Sequence, residues 1–360
     1  MTNVMRKIRL AGCIGIIAVM FSVPPVAAEK FNFKIASGHN ASWHFIQITQ
    51  TFFMPEVKKR VKERTGHDIE FTEGFAGAMV KPTEVLEGLQ SGIIDIGVFC
   101  VCHEGQKLAL HNFPMYLPFG PTDPAISIKA TRKVYDSIPQ LHQTLEKTYG
   151  QKQLALIPFE SYNIISRIPM HGPADAKGRK ISGAGPNLFW VEKVGALPLT
   201  ITGPEVYTGF QSGLMDGNVV FVSIMDTLKL YDVAPYMIKI GFGSMTITPI
   251  HVNLRRFNRL PKEVQDILVD VGRDTEAYSA KYTQDMIDKY DGIITKNGAK
   301  IITVDEAGRK AWAQALQETP GEIAHKFDRE SKIPMSEAMK AYVAATEAEG
   351  YVWPVRYKLD

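Results

Sequence analysis

One twelve-residue stretch occurs twice in the chain. Residues 84–95 read EVLEGLQSGIID and residues 205–216 read EVYTGFQSGLMD, which agree at seven of the twelve positions. Each copy follows a proline (Pro82 or Pro204), is typical of a helix that ends at the glycine before its last three residues, and leads into an apolar strand. Solenoid repeats recur every 20–50 residues or so, whereas these copies lie about 120 residues apart. The sequence therefore predicts two similar lobes, each containing one helix-to-strand unit.

Strands and helices alternate ahead of both copies. Apolar strand patterns cover residues 31–37 and 68–75 before the first copy, and residues 178–182 and 197–202 before the second. Such alternation is typical of parallel strands covered by helices on both faces of a sheet. The expected fold class is therefore α/β.

A long helix is predicted over residues 262–294. Apolar side chains recur there at near-helical spacing: Val264, Ile267, Leu268, Val271, Tyr278, Tyr282 and Met286. The helix is unusually long for a globular protein, so we interpret it as a brace that touches both lobes. Ligands of open α/β lobes gather at the carboxyl ends of strands, so the expected pocket is the crevice between the lobes.

Residues 1–28 have the pattern of a secretory signal. A short basic start precedes an apolar run, and small residues surround a cleavage point after Ala28. Cys13 comes before the apolar run rather than after it, which excludes a lipoprotein signal. Cleavage takes 28 of the 360 residues, including three cations and no acid, so the formal charge falls from +3 to zero. A neutral mature chain without a basic stripe is not expected to bind nucleic acid, and without a second long apolar run it is expected to be soluble in the exported compartment.

Two cysteines remain after cleavage, in the segment CVCHE at residues 100–104. On a continuous strand, Cys100 and Cys102 would point the same way, a poor geometry for a mutual disulfide. We therefore expect a fold without disulfides. The segment lacks the second ligand pair of a structural zinc site, so no metal is expected. Glu104, if it faces the cleft, would suit a cationic or amino-bearing ligand.

Cofactor and enzyme motifs are incomplete. The glycines of GRKISGAGPN (178–187) lack the third glycine of a dinucleotide loop, and no Walker loop occurs, so no cofactor is expected. HEGQK is not a zinc-protease motif, and GFGSM lacks the flanks of a nucleophile elbow. A dispersed triad in a secreted α/β hydrolytic enzyme stays an alternative, because triads are recognised by geometry. The expected function is binding without turnover.

Several stretches together resemble a known family. PADAKGRKIS, VGALPLTITGPEVYTGFQSGLMDG, LQSGIIDIG, YLPFG and RFNRLPKEVQDIL are similar to the dicarboxylate-binding type of substrate-binding protein of tripartite ATP-independent periplasmic (TRAP) transporters. The resemblance covers nearly the whole mature chain. It implies a two-lobed, type II-like periplasmic binding protein with parallel and mixed sheets, hinge strands and a lobe-spanning helix. An ABC-type binding protein would share the lobes but not this order of motifs.

The resemblance also implies an organisation and a role. Lobe I is expected at residues 29–156 plus about 244–280, and lobe II at 157–243 plus about 281–330. The helix at 262–294 would bridge them, and residues 331–360 would form a C-terminal helical segment. The protein is expected to be a periplasmic monomer that closes on a small organic solute and delivers it to the two membrane subunits of a TRAP permease. The expected solute is an organic acid, with a neutral or amino-bearing solute as the alternative.

Relatives carry a carboxylate-binding arginine at the end of the strand Asp-Leu-Lys-Gly-x-Lys-Ile-Arg, where this chain has Ser182. A second arginine of sialic-acid-type relatives is matched by Tyr162, and an asparagine after the Asp-Gly of the second copy by Val220. Lys81 aligns with a ligand-contacting acid and would supply a displaced positive charge. With the arginines absent, we expect one or two aromatic residues near strand ends to touch the ligand; the candidates are Trp43, Phe75, Phe189, Trp190 and Phe221.

Overall fold

The structure is a computed structural model that describes residues 28–183, 185–201 and 205–360. Residues 1–27, which hold nearly all of the expected signal segment, lie outside the described residues, as does Pro204 before the second duplicated stretch.

The strands of the described residues form one mixed sheet in the order β2-β1-β3-β8-β4-β7-β5-β6, with β9 added alongside β8. Strand β1 is parallel to β2 and β3, and β5 is parallel to β6 and β7, whereas β4 and β8 run antiparallel to each other. The predicted α/β class and the parallel strands are confirmed. The strands are β1 Lys30–Ala36, β2 Asp68–Gly74, β3 Ile96–Val98, β4 Gln151–Ser166, β5 Lys180–Gly183, β6 Leu197–Thr200, β7 Gly217–Val220, β8 Tyr236–Asn253 and β9 Lys300–Thr303.

Helices cover the sheet and follow the strands in sequence. They are α1 His44–Ile48, α2 Met54–Thr65, α3 Val85–Ser91, α4 Pro124–Ser137, α5 Pro139–Gln143, α6 Pro173–Ala176, α7 Phe189–Glu192, α8 Glu205–Gln211, α9 Val222–Thr227, α10 Leu254–Asn258, α11 Lys262–Lys296, α12 Glu306–Ala315, α13 Thr319–Lys326 and α14 Met335–Ala348. Short 3₁₀ helices lie at Val101–Glu104, Leu110–Tyr116, Gly185–Leu188 and Leu230–Asp232.

The duplicated stretches form α3 with β3 and α8 with β7, as predicted. The glycine after each helix, Gly92 or Gly213, has a positive φ of 82° or 72°. Such a left-handed residue ends a helix and turns the chain into the next strand, and glycine adopts it without a steric penalty.

The two long strands β4 and β8 cross from one lobe to the other. Residues 151–157 of β4 pair with β8 beside β3, in the first lobe, and residues 162–166 pair with it beside β7, in the second lobe. The register between the two strands shifts repeatedly between Ile157 and Ile164. Because bulges interrupt the ladder and bend strands, this segment is the place where the lobes can rotate against each other.

Helix α11 packs closely on the crossing strands. A Cβ atom added at Gly272 would lie 2.1 Å from the carbonyl oxygen of Leu154 in β4. One turn later, the buried carboxylate of Glu276 accepts the Leu156 backbone N–H at 3.1 Å and pairs with Arg132 of α4. The same helix also contacts α2 and α9, which belong to the first and the second lobe respectively.

The prediction that the fold has no disulfide was wrong, because Cys100 and Cys102 are bonded to each other. That prediction assumed a strand through residue 102. Strand β3 ends at Val98, and Cys100 precedes the 3₁₀ helix Val101–Glu104. The tight turn brings the two Cα atoms to 5.1 Å, within the range that a disulfide needs.

Candidate functional site

The loops at the carboxyl ends of the strands meet between the two lobes. The rings of Trp43, after β1, and Phe221, after β7, lie edge to face with centroids 6.1 Å apart. A Cβ atom added at Gly185, after β5, would lie 3.7 Å from the carbonyl oxygen of Cys102, after β3. The lobes therefore touch here, and the structure shows the cleft in a closed form.

Aromatic rings form the second lobe's wall of this cleft. Phe221 stacks on Phe159 with centroids 5.1 Å apart, and the ring of Tyr162 meets Phe221 edge-on at 5.4 Å. Behind Tyr162, at 5.5 Å, lies the fully buried ring of Trp190, whose Nε1 donates to the Met115 carbonyl. Phe189 is half-buried beside Trp190. Five aromatic candidates from the sequence thus gather around the cleft, with Trp190 as its inner support: Trp43, Tyr162, Phe189, Trp190 and Phe221.

His39 is the polar group of the first lobe's wall that the sequence analysis missed. Its ring lies 4.7 Å from Trp43 and 5.4 Å from His103. Its Nδ1 is buried and has no hydrogen-bond partner among the described residues. Burial, helped by the neighbouring His103, lowers the pKa of His39 to about 3. The imidazole is therefore neutral at physiological pH, with one donor and one acceptor available for a ligand. In the sequence, only the position of His39 just after the first strand could have indicated that it belongs to the site.

Ser182 lies at the end of β5 and is fully buried. Its hydroxyl forms hydrogen bonds within the second lobe. Its hydroxyl accepts a hydrogen bond from Asn218 Nδ2 at 2.8 Å and lies 2.9 Å from Met215 Sδ and 3.3 Å from the Gly217 carbonyl. Asn218 stands opposite Ser182 in the parallel pair of β5 and β7. Val220 ends β7 directly before Phe221.

Lys81 and Glu104 lie apart from the rings. Lys81 is exposed, with its Nζ 3.7 Å from Glu84, although its backbone packs against Gly38 next to His39. The buried carboxylate of Glu104 lies 3.3 Å from Lys107 Nζ. Burial, more than the nearby Glu87, raises the pKa of Glu104. Both charges therefore have partners within the first lobe, and Lys81 can act on the cleft only from its rim.

A second carboxylate, Glu160, is buried behind the aromatic wall. Its Oε2 accepts the Ser223 backbone N–H at 3.0 Å, whereas its Oε1 has no partner among the described residues. Burial raises its pKa to about 7, and the hydrogen bond from Ser223 only partly offsets that rise. No group of three or more histidine, cysteine or acidic side chains suited to a metal ion occurs in the part of the chain that the structure describes.

The comparisons with known proteins agree with this geometry. The model of the bacterial extracellular solute-binding protein family 7 matches residues 44–326. The 2,3-diketo-L-gulonate-binding periplasmic protein YiaO of Escherichia coli is 22% identical over 312 residues, which are 82% of this chain and 87% of that protein. Across residues 28–360, apart from the few positions not described, no helix is both long and apolar enough to cross a membrane.

Two solved structures share the fold at low sequence identity. A TRAP solute-binding protein from Rhodoferax ferrireducens, in complex with copurified benzoate, superposes with a TM-score of 0.76 at 15% identity, covering 89% of this chain and 98% of that one. A TRAP periplasmic solute-binding protein from Desulfovibrio salexigens with bound orotic acid gives a TM-score of 0.74 at 21% identity, covering 88% and 99%. The expected two-lobed fold and the resemblance are both confirmed. The chain belongs to the bacterial extracellular solute-binding protein family 7, the DctP family.

Proposed function

We propose that this protein captures a small planar organic acid, aromatic or heteroaromatic, between the rings of Trp43 and Phe221. The observation that carries the proposal is the meeting of these two rings, one from each lobe, at the carboxyl ends of the strands. A flat ligand that turns these two side chains apart while the lobes stay closed would touch both lobes at once. Binding would then stabilise the closed form, as lobe closure around a ligand requires.

The polar groups around the rings favour recognition of the carboxylate by uncharged hydrogen-bond donors. The two positions where the resemblance places arginines hold the buried side chains of Ser182 and Tyr162. The neutral imidazole of His39, with its free Nδ1, is the group best placed to meet a carboxylate. Neutral hydrogen bonds are about half as strong as those of a charged arginine fork. Aliphatic dicarboxylates, which depend on ion pairs, should therefore bind weakly, whereas a planar acid gains from ring contact.

Two of the similar solved structures hold solutes of this class, whereas others hold the non-aromatic acids pyroglutamate and galacturonate. The Rhodoferax protein was found with benzoate and the Desulfovibrio protein with orotic acid, and both ligands are flat rings with one carboxylate. The cleft of the present protein presents rings on both sides to such a solute, and because the closed structure leaves only about 10 Å³ beside Trp43 and Phe221, these side chains must turn to admit it.

The remaining parts of the role belong to the same proposal. The mature chain is exported, starts at Glu29, acts as a periplasmic monomer and delivers its solute to the membrane subunits of a TRAP permease without converting it. Intact mass measurement of the exported protein tests the start. Recovery of the bound solute chemically unchanged tests the absence of turnover, and a turned-over product would favour a hydrolytic enzyme.

Calorimetric titration with benzoate, orotate and succinate tests the solute class. Benzoate or orotate should bind, and Trp43→Ala should weaken that binding by about tenfold, the loss expected for one ring contact of roughly 1.4 kcal/mol. The matched control is Phe52→Ala, which removes a ring that stacks on Tyr278 of α11, outside the cleft. Tight succinate binding with no response to Trp43→Ala would contradict the proposal.

A further inference from the structure

A cavity of about 420 Å³ lies on the back of the crossing strands. Ser161 and Asn163 of β4 line it, whereas Tyr162 between them turns its ring toward Phe221 and the cleft. Successive residues of a strand face opposite sides of a sheet. The cavity and the cleft are therefore separate spaces on the two faces of the hinge.

We propose that this back cavity binds a small branched aliphatic carboxylate and that its occupancy stabilises the closed cleft. The second half of the proposal rests on the proposed function of the cleft. The first half depends only on the residues around the cavity.

A cation without an acidic partner faces the cavity. Arg309 Nη2 donates to the carbonyls of Phe119 and Gly241 and to the hydroxyl of Tyr351, at 3.0 to 3.3 Å, and all three acceptors are neutral. Among the described residues, no carboxylate lies within ion-pair distance of Arg309, and its Nε and Nη1 donate to none of them. By contrast, Lys239 of the same cavity is paired with Asp291. A guanidinium with unused N–H donors is the group that best recognises a carboxylate.

The other walls define the rest of the ligand. The hydroxyl of Ser161 is buried without a partner among the described residues and can donate to a second oxygen. The apolar side chains of Val222, Ile240, Ile287 and Val304 line the same space. Together they suit a carboxylate with a branched aliphatic body, because polar groups fix orientation while apolar walls supply most of the contact. This shape differs from the flat ring proposed for the cleft.

The position of the cavity links it to closure. Thr122 and Asp123 of the first lobe form one side, and Thr303, Val304 and Arg309 of the second lobe form the other. Rotation about the crossing strands that closes the front must widen the back, and in this structure the front is closed by Trp43 and Phe221. A ligand that fills the widened space therefore favours the closed lobes. By thermodynamic linkage, the two ligands raise each other's affinity.

Isovalerate is the probe for the back cavity, and ligand-observed NMR is the readout. The unmodified protein should bind isovalerate, and Arg309→Gln should weaken binding about tenfold or more, as expected when a charged hydrogen bond is lost. The matched control is Lys310→Gln, an exposed cation on the same helix, which should change the affinity less than about twofold, as expected for a solvated surface charge. Absence of binding, or equal binding by Arg309→Gln, would overturn the site.

Coupling is tested by repeating the benzoate titration with isovalerate present. Saturating isovalerate should raise benzoate affinity by about fivefold, the lower end of ordinary allosteric coupling. Arg309→Gln should abolish that gain. Ile287→Trp, which fills the cavity with protein, should raise benzoate affinity without any probe and exclude isovalerate. If isovalerate leaves benzoate affinity unchanged or lowers it, the coupling is wrong. If benzoate does not bind while isovalerate binds through Arg309, the proposed function of the cleft fails and the back site stands.

Discussion

The contact between α11 and the crossing strand β4 is closest at Gly272. A methyl group there would lie 2.1 Å from the Leu154 carbonyl oxygen and 2.7 Å from its carbon, so Gly272→Ala must push the helix about 1 Å away from the strand to restore ordinary contact. One turn along, the same displacement would stretch the bond from the Leu156 N–H to Glu276. Overpacking of this kind costs about 1–3 kcal/mol, and a loosened buried hydrogen bond to a charged group about 1–3 kcal/mol more.

The helix offers its own control. Gly292 lies in α11 with no atom within 4 Å of an added Cβ, so Gly292→Ala gains the higher helix propensity of alanine, about 0.8–1 kcal/mol, without a clash. Gly272→Ala gains the same propensity and should still lose about 2–4 kcal/mol of unfolding free energy in net terms. Urea unfolding followed by far-UV circular dichroism measures both variants, with the slope expected to stay unchanged. If Gly272→Ala is as stable as Gly292→Ala, the helix does not pack on the hinge as described.

Three further predictions concern buried titratable side chains. Glu276→Ala should cost about 3–5 kcal/mol of unfolding free energy in the same urea assay, because it leaves the buried Arg132 with only the exposed Asp136 at 3.6 Å and removes the acceptor of the Leu156 N–H. Asp285→Ala, from an exposed pair on the same helix, should cost less than about 1 kcal/mol, and similar losses for the two would contradict the buried pair. Because burial raises the pKa of Glu160 from 4.5 to about 7, the stability it contributes is present below pH 4.5 and is lost as the pH rises through 7. Glu160→Gln should therefore stabilise the protein at pH 8 by up to roughly 3 kcal/mol, with no gain near pH 4.5, and a pH-independent difference would refute the burial of this carboxylate. Because the pKa of His39 is lowered to about 3, benzoate affinity should stay flat between pH 5 and 8 in calorimetry, and a rise of about tenfold toward pH 5 would mean that a charged histidine binds the solute.

Local signals allowed much of the fold to be predicted. The helices before Gly92 and Gly213 and the strands after them follow from periodicity and from glycine's freedom to adopt a positive φ, both of which act over a few residues. The disulfide was missed for an equally local reason. The apolar run after Ile96 continues past the point where the ladder with β8 stops, at Val98, and only the ladder decides where the strand ends.

The site depended on contacts that no local pattern encodes. The resemblance predicted where Ser182 lies in the fold, but its hydrogen bonds with Asn218 and Gly217 depend on the pairing of β5 with β7. No sequence motif marks His39, and its neutral state follows from burial beside Trp43 and His103. The back cavity joins Ser161 to Arg309. These residues are far apart in the sequence and meet because β8 pairs with β4 and Arg309 of α12 donates to Gly241 of β8.

A crystal structure of the mature protein with bound benzoate tests the central claim most directly. It should show the benzoate ring between Trp43 and Phe221, with its carboxylate within hydrogen-bond distance of His39 and with no arginine paired to it. A benzoate held by an arginine, or one that lies outside the space between these two rings, would contradict the claim that aromatic contact replaces the arginine clamp in this cleft.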